Sequence, residues 1–208
     1  MSVQAGIIAG MNKKAAIGLR AHSGWAALVA LAGPANSPEV IARRRIEIAD
    51  PKIRGSKQPF HAAESMEFPD AKAYIEQCAR STEWLSREAL QAAIDGLHDR
   101  RSEPSGCGII LGSGRTLPGL EAILKSHALI HTAEGEFFRN ALVEACGYCK
   151  IPVLGVKEKE LFERGSAHFR TPVTELERRV QEMGKSVGPP WTQDQKYAAL
   201  VAWMALGR

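Results

Sequence analysis

The chain has 208 residues, 45% hydrophobic and 24% charged, the proportions of an ordinary globular protein and not of a disordered or collagen-like one. Its 27 basic and 23 acidic side chains leave a formal net charge of +4, which allows an anionic partner but is too small to identify nucleic acid by charge alone. No run approaches membrane-spanning length, and Lys13 and Lys14 follow the short N-terminal apolar run instead of preceding it, so a cytoplasmic protein is expected.

One α/β domain over residues 1–208 is expected at this length, with 1–13 a flexible or peripheral segment and 172–208 C-terminal helices. From Ala15 to Gly33 the chain reads AAIGLRAHSGWAALVALAG, two extended runs separated by a Ser-Gly turn signal. EVIARRRIEIAD follows the breakers Gly33, Pro34, Asn36 and Pro38, which completes a three-stranded meander. The second run is apolar on both faces and is expected to be central. The third alternates Arg43, Arg45 and Glu47 with Arg44, Ile46 and Ile48, as on a more exposed strand.

A crossing from Pro51 to Pro69 leads to a helical region from Asp70, in which Ala73, Ile75, Cys78, Leu85, Leu90, Ile94 and Leu97 recur at spacings of three and four. GIILGSG is a buried strand ending in glycines, helical periodicity resumes after Pro118, and IPVLGV is a further strand. ELERRVQEMGK and WTQDQKYAALVAWMAL close the pattern as helices, the second with Thr192 as its N-cap. Cys146 and Cys149 form a C-x-x-C at the end of a helical pattern, where the dipole does not favour a thiolate, so buried reduced cysteines are expected.

The order β-β-β-α-β-α-β-α implies a three-layer α/β/α protein with a mixed sheet of about five strands. That order resembles the ribonuclease H-like fold of nucleases, Holliday-junction resolvases, sugar-kinase and actin-like ATPases, and the middle domain of release factors. IGLRAHSGWAALV is similar to the first phosphate-binding hairpin of the actin-like ATPases. WTQDQKYAALVAW is similar to the acidic, Ala-rich last helix of resolvases, which implies a carboxylate role for Asp194. In both families the first strand supplies a carboxylate that organises metal, whereas the matching region here offers Arg20 and His22. Two-metal nuclease chemistry needs several clustered carboxylates, so the resemblance implies a binder without that chemistry.

Gly112, Ser113 and Gly114 lie between a strand and a helix, where backbone N–H groups can cradle an anion beside the charge of Arg115; an ordinary tight turn is the alternative. GSGRTLPG fits neither G-x-G-x-x-G nor a P-loop. His127 and His131 share one helical face at i, i+4, with Glu134 a turn later, and could hold a divalent metal with ligands from elsewhere, such as His22, His61, Glu64 or Asp194. Alternatively, Thr132 caps a helix starting near Ala133. His61 is a candidate general acid or base, with Glu134 and Asp194 as further catalytic candidates. Glu136 and Arg139 are either a local i, i+3 pair or ligand contacts beside Gly135. Ser23 lies in the first hairpin, and neither it nor Ser113 sits in a nucleophile elbow.

The expectation is therefore one polar cleft near the ends of the central strands. It joins His22, Ser23, Gly112, Ser113, Gly114, Arg115, Glu136 and Arg139 with His127, His131 and Glu134, around a phosphate-bearing group of a nucleotide or nucleic acid. A metal-dependent phosphoester hydrolase using His127 and His131 is the second reading. An interaction module or homo-oligomer docking through the helix of Trp203 and Met204 is the third.

Overall fold

The computed structural model describes residues 12–207. Most of the expected peripheral segment lies outside the described residues, but Lys13 already belongs to the first strand. Strands β1 (Lys13–His22), β2 (Trp25–Ala32) and β3 (Glu39–Glu47) form the expected meander, and β4 (Ser102–Leu111) and β5 (Val153–Lys157) complete a mixed sheet in the order β3-β2-β1-β4-β5. The central strand is β1, not β2. β1 pairs antiparallel with β2 on one edge and parallel with β4 on the other, and β4 pairs parallel with β5. β2 reads as apolar on both faces because helices cover both sides of the sheet even one strand from its edge.

The helices are α1 (Pro59–Ala63), α2 (Phe68–His98), α3 (Leu120–Leu124), α4 (His127–Tyr148), α5 (Leu161–Phe169), α6 (Val173–Met183) and α7 (Gln193–Leu206). The expected crossing contains α1, and α2 starts at Phe68, with Pro69 in the first turn, where the lost N–H is not missed. α4 is continuous. Thr132 is therefore not a cap, and its hydroxyl donates to the Ala128 carbonyl at 3.0 Å inside the helix.

Period-2 alternation sorts the side chains of β1 to two cores. Ala15, Ile17 and Leu19 join Leu90 and Leu97 of α2 and Phe138 and Leu142 of α4, while Ala16 meets α7 on the other face. Gly18, Arg20 and His22 continue the α7 side. α7 lies directly on the strands: a Cβ at Gly18 would collide with the Ala198 carbonyl, and one at Gly108 with the Val201 carbonyl. Glycines below and Ala198, Ala199, Ala202 and Ala205 above permit that approach. Thr192 caps the helix as expected, and Gln195 completes a capping box with it.

Trp203 is fully buried, stacks on Phe169 at 4.1 Å between ring centres, and donates its indole N–H to the Ala35 carbonyl at 2.6 Å. Met204 is buried too, so this helix presents no docking face and the third reading loses its surface. The cysteines are free, with Cys78, Cys107 and Cys146 buried. A hydrogen bond to Cys146, with burial, holds the Cys107 thiol well above its ordinary pKa, which suits packing and not redox exchange. Among the described residues no helix is long and apolar enough to cross a membrane.

A third apolar cluster lies among α1, α3 and the first turns of α2 and α4, built from Phe60, Ala71, Ile75, Ile123 and Ile130. It fixes α1 against the start of α4.

Candidate functional site

Parallel strands β1, β4 and β5 end on the same edge of the sheet, where ligands of open α/β sheets bind. The close seat of α7 on Gly18 sets the geometry there, because Asp194 precedes Ala198 by one helical turn and so overhangs Arg20 and His22. One guanidinium nitrogen of Arg20 donates to Asp194 Oδ1 at 2.7 Å, and another donates to Glu158 Oε1, just past β5, at 2.8 Å. His22 Nε2 lies 2.9 Å from the same Asp194 oxygen. The Arg20 side chain is 13% exposed, that of Asp194 27% and that of Glu158 49%, so the Asp194 pair is the better shielded. Tyr197 offers its ring to the Arg20 guanidinium at 4.7 Å, and His22 stacks on Trp25 at 4.3 Å.

A charged side chain thus bridges the carboxylates at the end of β1. The resemblance to resolvases implies metal at such carboxylates, but these residues do not fit a two-metal centre. The strand contributes a cation where it would have to contribute an anion, and both acids are already spent on it.

Beside this cluster the chain leaves β4 through Gly112, so close to α4 that a Cβ would lie 2.5 Å from Glu136 Oε1 and 2.9 Å from Arg139 Cζ. Leu111, Gly112, Ser113, Arg139, Glu158 and Lys159 line a cavity of about 270 Å³. Arg139 reaches Glu136 Oε1 at 3.4 Å, a long contact for a guanidinium whose side chain is 22% exposed. Gly114 takes φ of +69°, and Ser113 Oγ accepts from the Arg115 N–H at 3.4 Å, so GSGR forms a tight turn with Ser113 and Arg115 exposed. Ser23 is exposed in the β1–β2 hairpin turn.

The remaining expected residues lie elsewhere. Residues two apart on a helix diverge by about 200°, so His127, His131 and Glu134 leave one face of α4 while Glu136 and Arg139 leave the other. The expected single cleft is therefore two sites with α4 between them. On the first face α1 brings His61 to the pair, and one ligand atom from each of His61, His127 and His131 falls within 4.8 Å of the others. Glu134 is 3% exposed, and its Oε1 accepts the His61 backbone N–H at 3.2 Å. Its Oε2 lies 2.9 Å from His61 Nδ1, a contact whose geometry falls short of a hydrogen bond, leaving that buried nitrogen without one among the described residues.

Glu158 and Lys159 were not visible as site residues in the sequence. Their signal is positional: they directly follow β5 on the edge where Gly112 follows β4.

No protein-family model matches the sequence, and no curated protein matches it. Among solved structures the chain is similar to Thermus thermophilus RuvC in complex with a Holliday junction substrate, with a TM-score of 0.52 and 10% identity over 92% of this chain and 91% of that one. It is similar in the same degree to a second Thermus thermophilus RuvC structure, TM-score 0.52 and 11% identity over 91% and 92%. At such identity the likeness concerns architecture alone: the chain has a ribonuclease H-like fold.

Proposed function

We propose that the protein binds the phosphate backbone of nucleic acid in the cleft at the ends of β1, β4 and β5, and does not perform two-metal phosphoester cleavage there. The observation that carries this reading is Arg139, a guanidinium lining an open cavity of about 270 Å³ with one long 3.4 Å internal contact among the described residues, so that most of its donors remain for a ligand. Lys159 lines the same cavity and supplies a second positive charge. The backbone at Gly112 carries no side chain to obstruct the approach. Arg20 supports the second half of the reading, because it holds Asp194 and Glu158 as an internal counter-ion. The junction bound by the RuvC of similar fold supports nucleic acid over a free nucleotide as the phosphate source.

Fluorescence anisotropy with labelled four-way junction and plain duplex tests the reading. Removing a phosphate contact weakens binding on every sequence and lowers the salt slope by about one. Arg139→Ala and Lys159→Ala are therefore each expected to weaken both probes several-fold, and neither probe is cut in magnesium or manganese. Unchanged affinity in both variants, or metal-dependent cutting abolished by Asp194→Ala, would overturn it.

A further inference from the structure

We infer that His61, His127 and His131 form a zinc site at the start of α4, with Glu134 as the buried carboxylate that orients it. The site is independent of the phosphate cleft, from which the body of α4 separates it.

Three features of the geometry support an ion in place of a chance histidine contact. First, the rings converge: centroids of the three pairs lie 4.6 to 5.2 Å apart, all edge to face, and His127 Nε2 and His131 Nε2 are 3.1 Å apart. Zinc bonds imidazole nitrogen at about 2.0–2.1 Å, so two ligands of a tetrahedral site stand about 3.3 Å apart, close to the spacing already present. Second, His61 is oriented from behind. Its Nδ1 faces Glu134 Oε2 at 2.9 Å, which leaves Nε2 for the ion. A carboxylate behind a histidine is the usual outer support of a zinc ligand, fixing the tautomer and raising the basicity of the ring. Third, Nδ1 of His61 is buried without a completed hydrogen bond, so a small rotation of the ring toward an ion can improve that contact while the other nitrogen gains a bond.

The fold supports the same arrangement. His127 and His131 are exposed at one end of α4, so an ion reaches them from solvent, whereas Phe60 packs edge to face on Phe137 and holds α1 in place. Three neutral nitrogens without a protein carboxylate in direct reach suit zinc or another late first-row ion better than magnesium or calcium. Three protein ligands leave the fourth tetrahedral position to water, the pattern of open zinc sites. The ion would also tie α1 to α4, two elements separated by more than sixty residues of chain, and thereby stabilise the folded form.

The test uses the full chain without a histidine tag, titrated with zinc chloride against a chromophoric chelator, with melting temperature and circular dichroism measured in parallel. Wild type is expected to bind one equivalent and to melt higher with zinc. His127→Ala and His131→Ala, both at exposed positions and so expected to stay folded, each lose the equivalent and the shift. Glu134→Gln weakens binding 10- to 100-fold, as loss of an outer-shell partner does. Cobalt in place of zinc gives the visible bands of a tetrahedral ion in wild type and not in the histidine variants. Absence of a zinc equivalent in wild type overturns the inference, as does zinc binding that survives both alanine substitutions.

Discussion

If Arg20 is the internal counter-ion of the cleft, its coupling to Asp194 must be large and its coupling to Glu158 small. The Asp194 bond is 2.7 Å long and largely shielded, and a hydrogen bond between charged groups contributes about 1.5–3 kcal/mol. The Glu158 bond is 2.8 Å long, but that carboxylate is 49% exposed, and solvent-screened pairs contribute about 0–1 kcal/mol. Arg20→Ala is therefore expected to destabilise by about 3 kcal/mol, partly through lost packing on Tyr197. For a chain of this size that lowers the melting temperature by about 6–12 °C. Arg20→Lys keeps the charge but loses the fork, and should recover less than half of the loss. Urea denaturation of wild type, Arg20→Ala, Asp194→Ala, Glu158→Ala and the two double variants that include Arg20→Ala gives a coupling of about 2 kcal/mol for Arg20 with Asp194, and under about 0.5 kcal/mol for Arg20 with Glu158. Raising the salt concentration should erode the second before the first. Equal couplings, or a value for Asp194 below about 0.5 kcal/mol, would refute the assignment of Arg20 as a shielded bridge.

Gly18→Ala places a methyl against the Ala198 carbonyl and should cost about 1–3 kcal/mol or more by overpacking, whereas Gly119→Ala, with open space around its Cα, should be close to neutral. Equal melting temperatures for the two variants would show that α7 is not seated as described. Alkaline pH should also destabilise the protein: a hydrogen bond with Cys146 and burial raise the Cys107 thiol, and burial raises Cys78 and Cys149. The folded state then keeps protons that the unfolded chain releases above about pH 8.5, so this stability is complete below that pH and declines as pH rises toward the folded values. Urea midpoints should fall from about pH 8.5 upward, with a shallower fall in Cys107→Ala; an identical fall in that variant would remove Cys107 as a cause.

The element order was legible because period-2 and period-3.6 patterns survive in a single sequence, and Thr192 was legible as the cap of the last helix. What was not legible depends on distance. The apolar run of β2 reads the same one strand from the edge as in the centre, and only the parallel partner β4, far along the chain, makes β1 the middle strand. Arg20 and His22 were marked as departures from a carboxylate, but Asp194 lies 174 positions from Arg20, and no local pattern joins them. His127 and His131 were visible as a pair because helical spacing is local. Their third member was one of several scattered candidates until Phe60 and its apolar neighbours fixed α1 beside them. The single-cleft expectation failed for a local reason that periodicity does contain: Glu134 and Glu136 cannot face the same way on one helix.

The contact of α7 with Gly18 and Gly108 makes the cleft and one core of the protein parts of a single cooperative unit. An excursion that lifts α7 would expose Ala16, Val29 and Leu31 to water and, in the same event, withdraw Asp194 from Arg20. The edge that carries Arg20 and Gly112 has no private, low-energy opening through this helix. Its amide protons, like those of β1 beneath them, should exchange with solvent only in openings about as rare as global unfolding, while those of the Gly112–Gly119 turn exchange freely. A ligand of the proposed kind would then enter past that turn, with the floor of the cleft standing still.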